Sequence, residues 1–160
     1  MVKRIVALVC FVAAGAVAAS VALADHGDHG HGQKRHGKVV HVIEHATTDA
    51  ISNQGGGAGD ATGNILTFSN DVFDQGNSTK VGSDQGYCVR LVVGESWECN
   101  WTTFLATGQI TVEGPFYDKK DSVLAVTGGT GEFAEARGEM ALHARDSKGS
   151  AYDFSYSLRE

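Results

Sequence analysis

The strongest pattern in the chain is a strict alternation of apolar and polar residues close to its end. Two sets of side chains are interleaved there, namely Tyr152, Phe154, Tyr156 and Leu158 and, between them, Asp153, Ser155, Ser157 and Arg159. Successive side chains of a β-strand point to opposite faces. The alternation therefore predicts a strand with one face in a core and the other in water.

Seven further segments have strand-like apolar runs or alternation. They are Val39 to His45, Asn64 to Phe73, Val81 to Val93, Trp97 to Leu105, Gly108 to Phe116, Ser122 to Thr127 and Glu139 to Arg145. A polar, glycine-rich connection from Ala46 to Gly63 separates the first two. No stretch of ten or more residues has the 3.6-residue period of a helix. Seven or eight short antiparallel strands in about 120 residues indicate an all-β domain, either a closed barrel or a sandwich.

The beginning of the chain has the three parts of a secretory signal. Met1 to Arg4 is positively charged, Ile5 to Ala19 is continuously apolar, and Ala22-Leu23-Ala24 supplies small residues for cleavage. We expect residues 1–24 to be a signal peptide that is cleaved after Ala24, so that the mature protein is secreted. The alternative is a retained membrane anchor, because about 20 apolar residues can span a bilayer.

A histidine-rich segment, residues 25–38, follows the leader. It contains no apolar residue and is expected to be disordered. Neutral imidazoles are good ligands for Zn, Ni or Cu, and the candidate ligands are His26, His29, His31 and His36, with Asp25 and Asp28. Their spacing matches no structured metal site, so the alternative is a solubilising tail that binds divalent metal weakly. A third hypothesis makes this tail the functional part and the domain its carrier.

Removal of the leader leaves 136 of the 160 residues, enough for one domain, residues 39–160, with a sizeable core. The leader contains Lys3 and Arg4 and no acidic residue, so 11 of the 13 basic and all 19 acidic residues remain, a formal charge of −8. Such a surface repels phosphate, so nucleic acid is a poor partner, and no membrane contact is expected after cleavage.

Cys88 and Cys99 are the two cysteines of the mature chain. Apolar runs on either side of Val93-Gly94 predict a β-hairpin that places the two cysteines opposite each other on adjacent strands. An even number of cysteines in an oxidising compartment then indicates a disulfide. The alternative is a pair of buried free thiols.

The segment Thr127 to Glu139, TGGTGEFAEARGE, has the glycine content of a phosphate-binding loop. A Walker loop requires a lysine after the glycines, and a Rossmann loop requires a strand–helix–strand context, and the sequence has neither. We interpret the glycines as a corner of the fold, with Phe133 turned inward. Arg137 is expected to hold that corner through hydrogen bonds to backbone carbonyls.

This segment and three others resemble, in the same order, the dirigent and allene oxide cyclase barrels. The similar segments are the acidic strand NDVFD (Asn70 to Asp74), KVGSDQGY (Lys80 to Tyr87), GQITVEG (Gly108 to Gly114) and GGTGEFAEARG (Gly128 to Gly138). The resemblance covers roughly Asn64 to Leu158. It implies an eight-stranded antiparallel, calycin-like β-barrel that is wide enough for one small apolar ligand, and association into homo-oligomers.

The chemistry that the resemblance implies is conformational control of a reactive substrate. Dirigents steer the coupling or cyclisation of phenoxyl-derived intermediates, and the cyclases fold an unsaturated fatty-acid epoxide so that ring closure gives one stereoisomer. Fixing the conformer removes part of the entropic barrier, and no cofactor is expected. This chain differs at two places. Ser83 replaces the basic residue of the dirigent motif, and Glu44-His45-Ala46 keeps the Glu but not the Asn of the cyclase motif.

Glu44 and Asp71 are the candidate catalytic groups. A buried Glu44 carboxylate would stabilise positive charge or move a proton, and the alternative is a solvent-facing strand residue. Asp71 is either an acid near the pocket or the cap of a bend. The candidate ligand contacts, which are alternatively core or structural residues, are Tyr87, Trp97, Trp101, Phe104 and Arg137.

Two hypotheses for function follow. The first is a secreted barrel that binds a small apolar, aromatic or phenolic molecule and directs its cyclisation or isomerisation, as an isomerase of the dirigent or allene oxide cyclase type. The second is a non-enzymatic extracellular structural or interaction module whose barrel is filled by side chains. The interior volume separates them, because several hundred cubic ångströms favour a ligand and a packed interior favours the module.

Overall fold

A computed structural model of the protein describes residues 37–54 and 57–159. Ten strands are present in this part of the chain: β1 (Lys38–His45), β2 (Ala50–Ser52), β3 (Ile65–Phe68), β4 (Asp71–Phe73), β5 (Lys80–Val92), β6 (Ser96–Leu105), β7 (Gly108–Tyr117), β8 (Ser122–Gly131), β9 (Arg137–Ala144) and β10 (Ala151–Arg159). The predicted signal peptide and the candidate metal ligands His26, His29, His31 and His36 lie outside the described residues.

Eight of the strands close into an antiparallel barrel. Their order around the ring is β1, β10, β9, β8, β7, β6, β5 and β4, and β4 pairs again with β1. Strand β3 continues the line of β4 along β5, with a break at Ser69 and Asn70. The eight-stranded barrel is thus confirmed, and the choice between barrel and sandwich is settled in favour of the barrel.

Strand β2 lies in the connection for which we expected no strand. It is only three residues long, all of them exposed, and it pairs with the edge of β3 through Ile51 and Leu66. Its three residues are too few to produce a readable alternation, which is why the sequence pattern did not reveal it.

The alternation predicted for the last strand is present in β10. Phe154, Tyr156 and Leu158 are all buried in the core, while Arg159 and Ser157 are exposed. On β6 the inward positions are likewise every second residue, from Trp97 through Cys99 and Trp101 to Thr103. The barrel wall therefore has one apolar face, and that face surrounds a single core.

The glycine-rich segment closes one end of the barrel. Gly131 has φ +61°, a left-handed conformation that favours glycine, and a Cβ on Gly129 would lie 2.5 Å from the Phe133 carbonyl oxygen. A single turn after Gly131 buries Phe133 and Ala136 in the core. Arg137 Nη1 donates a hydrogen bond of 2.7 Å to the Ala136 carbonyl oxygen. The segment is thus a corner of the fold, as its glycines indicated.

The two cysteines form the predicted disulfide. Cys88 of β5 lies directly opposite Cys99 of β6, with a Cα–Cα distance of 4.0 Å, and the two sulfur atoms are bonded. Both residues are buried on the inner face of the barrel. A disulfide is consistent with an extracellular location.

Replacing both cysteines with alanine is expected to lower the free energy of unfolding by about 3 kcal/mol. The sequence separation of 11 residues closes a loop whose entropy corresponds to roughly that value. Urea denaturation of the wild type and of the double variant, each at one fixed pH, measures the difference. A loss below about 1 kcal/mol would show that the bond does not constrain the unfolded chain as expected.

Within residues 37–54 and 57–159, no helix is long or apolar enough to cross a membrane.

Candidate functional site

One end of the barrel is an open mouth. The turn between β5 and β6, the turn between β7 and β8 and the loop between β9 and β10 lie at this end, together with the C-terminal end of β1. The glycine-rich corner lies at the opposite end. The antiparallel pairing therefore gathers three connections and the C-terminal end of β1 around the mouth.

A cavity of about 50 Å³ lies inside the barrel at the mouth end. Most of its wall is apolar or aromatic, made of the Cys88–Cys99 disulfide with Leu66, Phe68, Trp101, Phe116, Leu142, Tyr152 and Phe154. Two carboxyl groups complete the wall, those of Glu44 and Asp49. Glu44 is 5% exposed, whereas Asp49 is exposed and stands at the rim. The cavity is an apolar space with one buried acid in its wall.

Asn70 holds the Glu44 carboxyl in place. Its Nδ2 donates to Glu44 Oε1 at 2.8 Å and to Asp49 Oδ1 at 2.9 Å. Its Oδ1 accepts from the backbone nitrogen atoms of Thr47 and Thr48, at 3.0 and 2.9 Å, and from Thr48 Oγ1 at 2.9 Å. The break between β3 and β4 leaves this side chain free to turn inward. Asn70 thereby ties the acid on β1 to the connection that crosses the mouth.

Asp84 of β5 lies beside this network and is fully buried. The Asn70 backbone nitrogen donates to Asp84 Oδ1 at 3.2 Å, and the two residues also exchange backbone hydrogen bonds of 3.1 and 2.9 Å. Asp84 Oδ2 is buried and has no hydrogen-bond donor among the residues of the described ranges. A buried acceptor without a donor is costly, so a proton on a neighbouring acid is its natural partner.

The pKa values of the two acids are raised together. Burial raises the pKa of Glu44 well above its ordinary value, and the charge of Asp84 raises it further. Burial also raises the pKa of Asp84, to about 7. Two neighbouring buried carboxyl groups cannot both ionise without a large cost, so the raised pKa values favour a proton shared by the Glu44–Asp84 pair. Such a proton on Glu44 would give Asp84 Oδ2 a donor and leave an acid in the cavity wall.

Of the residues that the sequence singled out, Glu44 and Trp101 are brought together at this cavity. Trp97 is also buried, but it stacks under the Arg90 guanidinium, 3.9 Å from the ring centroid, and its Nε1 donates to Asp118 Oδ1 at 3.2 Å. Trp97 therefore belongs to an ionic cluster at the mouth and does not line the cavity.

The other four candidates lie away from the cavity. Asp71 is exposed and pairs with Lys80 Nζ at 2.6 Å. Tyr87 is 51% exposed on the outer face of β5, and Phe104 occupies an outward position of β6, next to the buried Thr103. Arg137 stands at the closed end. The catalytic role of Asp71 and the ligand contacts of the other three residues stay predictions that draw no support from these positions.

The sequence analysis missed Asp84, Asn70 and Asp49. A signal for Asp84 was present, because it lies four residues before Cys88 on the same strand and therefore on the same face. Cys88 lies on the inner face of the barrel, and an aspartate in register with it is therefore buried as well. No comparable signal existed for Asn70, whose position depends on the break between β3 and β4.

A larger groove adjoins the cavity on the outside. Its volume is about 580 Å³, and it shares Phe116, Leu142 and Tyr152 with the cavity wall. The rings of Phe116 and Tyr152 meet edge to face at 5.8 Å. These three side chains form the partition between the groove and the buried acid.

The sequence profile described as allene oxide cyclase matches residues 38–146, a span that contains Glu44, Asn70, Asp84 and Trp101. The matched segment runs from the start of β1 into the loop after β9.

Three solved structures illustrate the fold. A pyocyanin demethylase is 24% identical, with a TM-score of 0.62 over 73% of this chain and 98% of its own. The pterocarpan synthase dirigent protein PsPTS1 is 15% identical, with a TM-score of 0.62 over 76% and 92%. The Diels-Alderase AbmU from Streptomyces koyangensis is 14% identical, with a TM-score of 0.62 over 81% and 70%. At these identities the likeness establishes a shared barrel fold.

Proposed function

Because the chain belongs to the allene oxide cyclase family, we propose that its barrel binds a small unsaturated molecule and directs the cyclisation or isomerisation of that molecule. The observation that carries the proposal is the Glu44 carboxyl, which is buried, has a raised pKa and lies in the wall of a mostly apolar, aromatic cavity. Solved structures with this fold include a dirigent protein and Diels-Alderases, which supports a barrel for ring-forming chemistry.

The chain's own residues supply an acid and a rigid wall. Glu44 donates a hydrogen bond, or the one proton of the pair, to an oxygen atom of the ligand as charge develops there, and it takes that proton back when the product forms. Asn70 keeps the Glu44 carboxyl at the cavity. Phe68 and Phe154 each pack against Trp101, with ring centroids 6.0 and 5.5 Å away, and the three rings hold the apolar part of the ligand in one conformer.

The space available sets how a ligand binds. A cavity of 50 Å³ holds a few water molecules, far less than the several hundred cubic ångströms of a typical ligand site. The outer groove of about 580 Å³ is large enough for such a molecule. We infer that the ligand lies mainly in the groove and inserts its reacting part between Phe116 and Tyr152 to reach Glu44.

A stereochemical assay tests the proposal. An allene oxide generated from an unsaturated fatty-acid hydroperoxide cyclises spontaneously to a racemate, so enrichment of one enantiomer, measured by chiral chromatography, reports steering by the protein. We expect enrichment with the wild type and with Glu98→Gln, an exposed glutamate of β6. Glu44→Gln is expected to give a racemate. Racemic product with the wild type, and equally with a panel of phenolic substrates, would contradict the proposal.

The second candidate function is a non-enzymatic extracellular module with a filled barrel. The small volume of the interior cavity favours it. Calorimetric titration with unsaturated fatty acids and phenolics separates the two functions, because a filled barrel releases no heat with any of them. Binding by the wild type that is lost in Leu142→Trp, where the larger side chain blocks the way from the groove to the cavity, would support the ligand-binding function.

Secretion and self-association are further parts of the proposal. The disulfide is consistent with export, and apolar side chains such as Val39, Leu91 and Val123, each more than half exposed, offer surface on the outer wall for a second copy.

A further inference from the structure

Trp101 has an indole N–H without an acceptor. The residue is 3% exposed, lies in the cavity wall, and its Nε1 is buried with no hydrogen-bond partner among the residues that the structure describes. A buried donor without an acceptor costs about 1 to 3 kcal/mol. Buried indole N–H groups are usually bonded, so this one is exceptional and calls for a functional explanation.

The other tryptophan shows the usual situation. Trp97 is equally buried and sits four residues earlier on the same strand, yet its Nε1 is bonded to Asp118. The barrel therefore supplies an acceptor for the indole N–H of Trp97. It supplies none among the described residues for the indole N–H of Trp101, the tryptophan that lines the cavity.

We propose that the Trp101 indole N–H binds an acceptor oxygen of the ligand, a carbonyl or an epoxide oxygen, at the same cavity to which Glu44 presents its acid. The site then selects neutral oxygenated ligands over hydrocarbons of the same shape. This inference rests on the proposed function and deepens it by naming the ligand group that the cavity recognises. Two donors in one apolar cavity wall suit such an oxygen, whereas an ionised ligand carboxylate would be repelled by the negative charge of the Glu44–Asp84 pair.

The hydroxyl of Tyr156 is the group inside the protein that competes with a ligand as acceptor for the Trp101 N–H. This hydroxyl is fully buried and bonded to Thr103 Oγ1 at 2.7 Å. Burial raises the pKa of Tyr156, and the Trp101 indole acts weakly in the opposite direction, so the two groups are close. No aligned hydrogen bond joins them. The Tyr156→Phe variant therefore distinguishes an indole held by tyrosine from one reserved for a ligand.

The test uses nuclear magnetic resonance of the full-length, ¹⁵N-labelled protein. The chain contains two tryptophans, so the Trp97→Phe variant assigns both indole signals. The probes are cyclohexanone and methylenecyclohexane, which share a shape and differ by the oxygen atom. We expect cyclohexanone to move the Trp101 indole proton downfield, to leave that of Trp97 unchanged and to bind about tenfold more tightly than the hydrocarbon. This ratio corresponds to about 1.4 kcal/mol.

The outcomes separate the two levels of the proposal. Equal affinity for both probes, or binding of cyclohexanone without a shift of the Trp101 signal, overturns the role of Trp101 while the cavity remains a binding site. Absence of binding by both probes overturns the cavity as well. In the ligand-free protein, a large upfield shift of the Trp101 signal in Tyr156→Phe would show that tyrosine holds the N–H, and would equally overturn the inference. Trp101→Phe is expected to remove the tenfold preference, and Trp97→Phe to retain it.

Discussion

Replacing Glu44 with glutamine is expected to halve the loss of stability that the wild-type protein shows as the pH rises from about 4.5 to about 7. The folded-state pKa values of Glu44 and Asp84 lie above those of the unfolded chain. Their protonated forms therefore stabilise the fold fully below the unfolded values, and this contribution is lost as the pH rises through the folded values.

The size of the effect follows from Asp84. A pKa raised from 3.8 to about 7 corresponds to about 4 kcal/mol, at about 1.4 kcal/mol per unit, and this is an upper limit because the pair shares one proton. Glutamine at position 44 does not titrate, and its amide retains a donor for Asp84, whose pKa stays raised by burial. The variant should therefore lose about half as much stability as the wild type over the same range.

Urea denaturation at several pH values between 4 and 8 measures this dependence. Asp84→Asn is expected to flatten the curve in the same way, because it removes the titration of Asp84, while burial keeps the pKa of Glu44 raised. Glu98→Gln serves as the control, since its side chain is exposed and its curve should follow the wild type. A wild-type stability that is constant or that rises from pH 5 to pH 7 would show that the two acids are not a protonated pair.

Substituting Gly86 with alanine is expected to cost about 3 kcal/mol or more and to move Trp101. Gly86 of β5 lies directly opposite Trp101 of β6. A Cβ at this position would overlap Trp101 Cβ and lie 2.5 Å from the Asn100 carbonyl oxygen and 2.7 Å from Trp101 Cα. Two of these three atoms belong to the backbone, so neither a rotamer change nor a small shift removes the overlap.

Urea denaturation measures the loss of unfolding free energy. The displacement of Trp101 is measured by tryptophan fluorescence in a Trp97→Phe background, in which Trp101 is the one tryptophan, with and without Gly86→Ala. Gly76→Ala is the matched control, because its Cβ would meet only ordinary contacts of 3.6 and 3.7 Å. We expect the control to change the free energy of unfolding by less than about 0.5 kcal/mol. An equally mild effect at Gly86 would mean that the hairpin adjusts without disturbing the cavity.

The fold was largely predictable because its determinants are local. The alternation from Tyr152 to Leu158 marks a wall strand by itself, and the spacing of Cys88 and Cys99 about Val93-Gly94 sets the register of a hairpin. The three-residue strand β2 was not predictable, since its pairing with β3 is a tertiary contact. The barrel could be separated from a sandwich only by the family resemblance, because closure depends on the pairing of β4 with both β1 and β5.

The site was predictable only in part. Alternation along a strand tells which face of the sheet a side chain takes, but it does not tell which residues of other strands lie beside it. Glu44 was identified from its place on β1. Its partners Asp84 and Asn70 come from a distant strand and from a break in the wall, and sequence spacing does not encode those contacts. Asp71, one residue after Asn70, points outward for the same reason that Asn70 points inward.

The glycine-rich corner described above has a kinetic consequence. Phe133 and Ala136 cover one end of the barrel, so under the proposed function a molecule would reach and leave Glu44 from the other end, past Phe116 and Tyr152. Substrate and product then compete for one passage and cannot occupy it together. In steady-state assays the product of such a blind-ended barrel is a competitive inhibitor, and its departure is coupled to the opening of the same aromatic pair that admits the next substrate.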